Sequence, residues 1–96
     1  MYKEGRSTGN RHLVVFVSKN NLDTNRLGIS VSKKMGKAVA RNKQRRRIKE
    51  AYKTLLPNIL LGYDIVILPR PPVAAAKFSQ IVSALEGLFK RQGLFK

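Results

Sequence analysis

The sequence has no cysteine, few acids and no long apolar run, and each shortage closes off a class of function. Without Cys there is no disulfide framework, no thiolate metal site and no cysteine nucleophile, which fits a reducing compartment. The five acids, Glu4, Asp23, Glu50, Asp64 and Glu86, are scattered singly. Their spacing offers neither paired carboxylates nor a metal-ligand cluster. His12 stands alone at the start of a predicted strand, where an edge residue is the simpler reading than a general base, which needs a partner to orient it. No apolar stretch approaches the roughly 18 residues that cross a bilayer. The opening residues, polar from Lys3 to Arg11, lack the apolar core of a secretion signal. The expectation is a cytoplasmic chain with no catalytic residue and no protein-bound metal or cofactor.

Positive charge is what the sequence has in excess. Twenty Lys and Arg against five Asp and Glu leave +15 on 96 residues. The hydrophobic fraction of 43% is nevertheless that of an ordinary globular chain, so a core is retained. The length suits one compact domain over residues 1–96. Self-repulsion of this size does nothing for a free domain and implies a polyanionic partner, nucleic acid rather than membrane.

Periodicity divides the chain into five predicted elements. Arg11 to Ser18, with its β-branched and aromatic run Leu13 to Val17, reads as a strand. The Asn- and Asp-rich stretch Lys19 to Asn25 reads as a turn. Beyond it Leu27, Ile29 and Val31 alternate with Gly28, Ser30 and Ser32, predicting a second strand antiparallel to the first, with small residues on a face that something could approach closely. From about Ala38 the period becomes helical, Ile48, Ala51, Tyr52 and Leu55 making one buried stripe that Pro57 and Asn58 end. The apolar run Tyr63 to Leu68 predicts a strand covered on both faces. Lys77 to Arg91, with a stripe of Phe78, Ile81, Val82, Leu85, Leu88 and Phe89, predicts a helix closed by Gly93. Strand, helix and strand suggest a βαβ unit in which the third strand lies parallel to the second, by general rule with a right-handed crossover. The fold class expected is α+β, an α/β sandwich with helices on a small mixed β-sheet.

Ten of the twenty basic residues fall between Lys33 and Lys53, where Glu50 is the sole acid. A run of like charge is ordinarily a solvated face or a disordered arm. Here it lies on an ordered helix. At about 100° per residue, Asn42, Arg46, Lys49 and Lys53 share a polar stripe. Arg41, Gln44 and Arg45 fall instead near the azimuth of Ile48, Tyr52 and Leu55. They cannot all be buried unpaired, so the start of the helix must meet solvent or a partner. Cations there also oppose the helix dipole, so stability is a poor explanation for them. The candidate RNA-binding residues are Lys33, Lys34, Lys37, Arg41, Asn42, Lys43, Arg45, Arg46, Lys49 and Lys53. A stripe of cations suits phosphates and shape rather than base edges. No zinc-finger spacing, zipper or groove-inserting arm is present, which favours a structured RNA over DNA. A structural RNA-binding protein of the ribosome or another ribonucleoprotein fits the same charge layout.

Arg26 to Lys37 (RLGISVSKKMGK) followed by Ala38 to Glu50 (AVARNKQRRRIKE) resembles the bacterial ribonuclease P protein family. Its signature, Ala, two residues, then Arg-Asn-Arg/Lys and further basic positions, is matched by Arg41, Asn42, Lys43, Arg45 and Arg46. Gly5-Arg6-Ser7, Tyr63-Asp64-Ile65-Val66 and Leu88-Phe89-Lys90 extend the likeness along nearly the whole chain. The resemblance implies a sandwich related to a domain of a small-subunit ribosomal protein, with a left-handed crossover. It implies a ribonucleoprotein endoribonuclease whose RNA subunit, with magnesium, removes the 5′ leader of precursor tRNA. The protein would bind the ribonuclease P RNA through its basic motif and the leader in a cleft on the sheet. Tyr2, Phe16 and Phe95 match aromatic places of that cleft, and alternation places Ser30 and Ser32 on the exposed sheet face beside it. Ordinary core remains the competing reading for Phe16. In the family a further helix precedes the segment matched by Lys3 to Arg6, and Gln44 stands where an apolar residue is common.

Overall fold

The structure, a computed structural model, describes residues 6–96. Its elements in chain order are β1 (Arg6–Gly9), β2 (Leu13–Lys19), β3 (Arg26–Ile29), α1 (Ala38–Leu55), β4 (Tyr63–Pro69) and α2 (Phe78–Arg91), with short 3₁₀ turns at Lys33–Met35, Leu56–Asn58 and Pro71–Ala75. The strands form one mixed sheet in the order β1-β2-β4-β3. β2 runs antiparallel to both β1 and β4, and β4 runs parallel to β3. The predicted βαβ unit is therefore present. β2 and β3 do run in opposite directions, but they are not neighbours: the crossover through α1 returns β4 between them.

The alternation of β2 explains the layering. Leu13, Val15 and Val17 are buried with Ile65 and Ile67 of β4, and both helices cover this side through Ile48, Ala51, Tyr52 and Leu55 of α1 and Ile81, Leu85, Leu88 and Phe89 of α2. The Tyr52 and Phe89 rings meet edge to face at 6.2 Å, joining the two helices. The opposite face has no such layer. Phe16 is 45% and Val66 37% exposed, so β4 is not covered on both faces as its apolar composition suggests. Phe16 is accordingly not core.

Local chemistry sets the ends of the elements. Asn20 accepts from the Leu22 N–H at 2.8 Å and donates to Thr24 O at 3.1 Å, while Asn25 bonds Leu60 O and the Tyr63 N–H, fastening the turn between β2 and β3 to the start of β4. Pro57 lies in the 3₁₀ turn that ends α1. α2 closes in a Schellman motif: Leu94 N donates to Phe89 O at 2.9 Å, Gly93 N to Lys90 O at 3.1 Å, and Gly93 takes φ +74°. Leu94 is then fully buried. The short strand β1 was not expected, because its sequence RSTG carries no apolar period. It is held by backbone pairing to β2 and by Arg6, which donates to Gln92 O at 3.1 Å.

Candidate nucleic-acid interface

The basic segment forms the start and the solvent side of α1. Lys33 and Lys34 occupy the 3₁₀ turn before it, Lys37 is its N-cap residue, and no side chain caps its first N–H groups. No acid stands in the first turn. Lys33, Lys34, Lys37, Asn42, Lys43, Arg45, Arg46, Lys49 and Lys53 are all exposed. Among the described residues from Lys33 to Lys53, only Lys53 has a carboxylate partner, Glu50 at 3.5 Å. An exposed pair of that kind contributes little. Asn42 accepts from Arg45 Nη1 at 2.8 Å and lays that guanidinium along the helix surface.

Arg41 and Gln44, on the azimuth of the core stripe, resolve differently from each other. Gln44 is buried at 5% exposure and accepts from Arg47 Nη1 at 2.8 Å. Arg47 reaches on to the carbonyls of Val73 and Ala76, so this cation is a tether between α1 and the turn before α2. Arg41 is half-buried, and its Nε lies buried without any hydrogen-bond partner. A donor left so costs about 1–3 kcal/mol, more on a charged group. Its outer nitrogens and the uncapped helix start share one end of α1, where an anion would find several donors.

The second candidate surface is the open face of the sheet. Register places Ser7, Phe16, Val66 and Gly28 in one row across β1, β2, β4 and β3. Phe16 and Val66 make an apolar floor between small residues, so an extended chain can approach the sheet there. Neither Val66 nor Gly28 stood out in the sequence as a site residue, although Val66 lies directly across from Phe16 and Gly28 across from Val66. Ser30 and Ser32 are exposed where β3 ends, and Ser30 N still donates to Ile67 O at 3.0 Å. They lead straight into Lys33, Lys34 and Lys37, making the open face and the basic helix start contiguous. Phe95 is not in this row. It bridges Ile59, packs half-buried against the core, and carries Lys90 Nζ 5.7 Å from its ring centroid. Tyr2 lies outside the described residues.

One charged group at the edge of the open face escaped sequence reasoning. Arg26 grips Asp64 through two hydrogen bonds of 2.7 and 2.6 Å, and Asn20 donates to the same carboxylate at 3.0 Å. The Arg26 guanidinium, with Asn20, holds the Asp64 carboxyl below its ordinary pKa. The sequence signal was only that both lie in strands, each two residues before its strand's member of the row. No group of three or more His, Cys, Asp or Glu that could hold a metal occurs among the described residues, nor any helix long and apolar enough to cross a membrane.

A small sandwich whose helical layer presents uncompensated cations and whose sheet leaves one face open is built as a polyanion-binding protein. Comparison with known proteins gives the kind. The Ribonuclease P family model matches residues 1–93. The ribonuclease P protein component of Clostridioides difficile is 47% identical over 92 residues, covering 95% of this chain and 81% of that protein. The solved ribonuclease P protein of Staphylococcus aureus superimposes with a TM-score of 0.84 at 42% identity, over 98% of this chain and 86% of that one. That of Thermotoga maritima does so with a TM-score of 0.85 at 39% identity, over 93% and 84%. The chain belongs to the bacterial ribonuclease P protein family, the protein component of the ribonucleoprotein endoribonuclease of tRNA 5′ maturation. The mixed four-stranded sheet with two helices matches the α+β architecture of those structures.

Proposed function

We propose that this chain, as one RNA-binding domain, serves two RNAs through its two surfaces. The basic face of α1, with Lys33, Lys34, Lys37, Arg41, Asn42, Lys43, Arg45, Arg46, Lys49 and Lys53, holds the ribonuclease P RNA. The open sheet face, with Phe16, Ser30 and Ser32, receives the single-stranded 5′ leader of precursor tRNA, bases stacking on Phe16. Tyr2 and Phe95 extend that cleft by family resemblance. The observation that carries the reading is the buried, partnerless Arg41 Nε beside an uncapped and acid-free helix start. Among the described residues, the exposed cations around it have no carboxylate partner except at Lys53, and RNA phosphates supply the acceptors. Hydrolysis belongs to the RNA subunit and its magnesium; this chain contributes binding and orientation, in the cytoplasm and without a DNA partner.

The test is cleavage of a precursor tRNA by a bacterial ribonuclease P RNA at low magnesium, with and without this chain. The protein restores correct 5′ processing and cuts nothing alone. Arg41→Gln with Arg45→Gln and Arg46→Gln removes the gain, and affinity for the RNA falls by roughly 10³ to 10⁵ between about 50 and 200 mM salt if six to ten phosphates are contacted. Tight RNA binding with no stimulation of cleavage would place the protein in a different ribonucleoprotein.

A further inference from the structure

Between α1 and the first turn of α2 lies a groove of ≈ 470 Å³ lined by Arg46, Arg47, Lys49, Glu50, Lys53 and Phe78. It belongs to the helical layer, apart from the open sheet face. Phe78 begins the apolar stripe of α2, yet 43% of it is exposed, while Ile81, Leu85, Leu88 and Phe89 of the same stripe are buried. The first position of the helix overhangs the core, and its ring keeps apolar surface in water at a cost of about 25 cal/mol per Å².

The charges around the ring are unequal. Four cations line the groove against one acid, and Glu50 is already engaged with Lys53 at 3.5 Å. Arg47 turns inward to Val73 and Ala76 and fixes the floor. Arg46 and Lys49 have no carboxylate partner among the described residues, and Lys53 can exchange an exposed carboxylate for a phosphate at little cost. From Arg46 to Lys53 the helix rises by roughly 10 Å, seven residues at about 1.5 Å each, enough to reach phosphates on both sides of one nucleotide.

We propose that this groove is a subsite for one unpaired nucleotide of a folded RNA, its base stacked on the Phe78 ring and its flanking phosphates held by Arg46, Lys49 and Lys53. The inference rests on the reading that α1 faces RNA and adds a discriminating element to it. Phosphate contacts alone accept any RNA of suitable shape, whereas an aromatic platform demands a base released from pairing, as in a bulge or loop.

The chain contains no tryptophan, so Phe78→Trp places a single indole in the groove. Titrated with a bacterial ribonuclease P RNA, its fluorescence is quenched as a base stacks, while a reference Leu22→Trp in the turn between β2 and β3 is not. Phe78→Leu, which keeps apolar contact but loses the ring, weakens binding of that RNA by about 5- to 150-fold, the range for one stacked base. Its thermal melting is followed alongside. If Arg41→Gln with Arg45→Gln weakens binding while Phe78→Leu leaves it unchanged and the Phe78→Trp indole is not quenched, α1 faces RNA and the subsite is wrong. If the α1 variants also bind as the parent does, the broader reading falls with it. Should Phe78→Leu fail to fold, the quenching of Phe78→Trp decides alone.

Discussion

The two helices share one layer and one core, yet they place and partner their cations differently. α2 also starts on a lysine, Lys77, with no side-chain cap and no acid in its first turn, but Gln80 accepts from the Lys77 N–H at 2.8 Å, Lys90 and Arg91 stand in the last turn where the dipole favours cations, Lys90 pairs with Glu86 one turn back at 2.8 Å, and Gly93 closes the Schellman motif. α1 begins with Lys37 at its N-cap, no side-chain cap, no acid in its first turn and an Arg41 nitrogen buried without an acceptor. Nothing in the folding of the free protein rewards that start. The contrast separates what holds the chain together from what the chain holds.

Four variants sharpen or break this contrast. Leu85→Ala in α2, at a fully buried position, should lower stability by about 2–5 kcal/mol in urea unfolding. The pair Arg41→Gln and Arg45→Gln in α1 should leave the unfolding midpoint unchanged or raised, and a comparable loss would mean that the α1 start is structural after all. Gly93→Ala forces a side chain into the left-handed region, where φ is +74° and no neighbour lies close, so backbone strain alone should cost about 1–2 kcal/mol, read as a lower melting temperature. Lys37→Ser should have the smallest effect and the opposite sign. A capping hydroxyl should stabilise the fold by about 1 kcal/mol, while the loss of one phosphate contact lowers the salt slope of RNA binding by about 1. If Lys37→Ser destabilises, the helix start has a hidden cap and the contrast fails.

Legibility in the sequence followed the physics of each signal. Both helices and their stops could be read because Ile48, Tyr52 and Leu55, then Ile81, Leu85 and Leu88, repeat at the helical period and Pro57 and Gly93 cannot continue it. The parallel pairing of β3 and β4 followed from strand, helix and strand in succession. β1 was invisible, since Arg6, Ser7, Thr8 and Gly9 are held by backbone and by Arg6 with Gln92 rather than by a buried face. The open face behind Val66 was misread because an apolar run is equally compatible with burial on two sides and with a floor for a ligand. Arg47 could not be told from its basic neighbours, as its internal role depends on the carbonyls of Val73 and Ala76, 26 and 29 residues away. Arg26 and Asp64, 38 residues apart, are likewise joined only by register.

The strand order also governs when the chain can fold. The central pair, β2 with β4, sets Leu13 opposite Pro69, so the middle of the sheet closes over more than half the chain and cannot be nucleated by a local hairpin. During synthesis β1 and β2 emerge with one edge unpaired, and α1 follows with its cations crowded together, before β4 arrives to complete the layer. Long-range pairing of this kind slows folding relative to local contacts. An anion that bridges the α1 cations before β4 is made would relieve their repulsion.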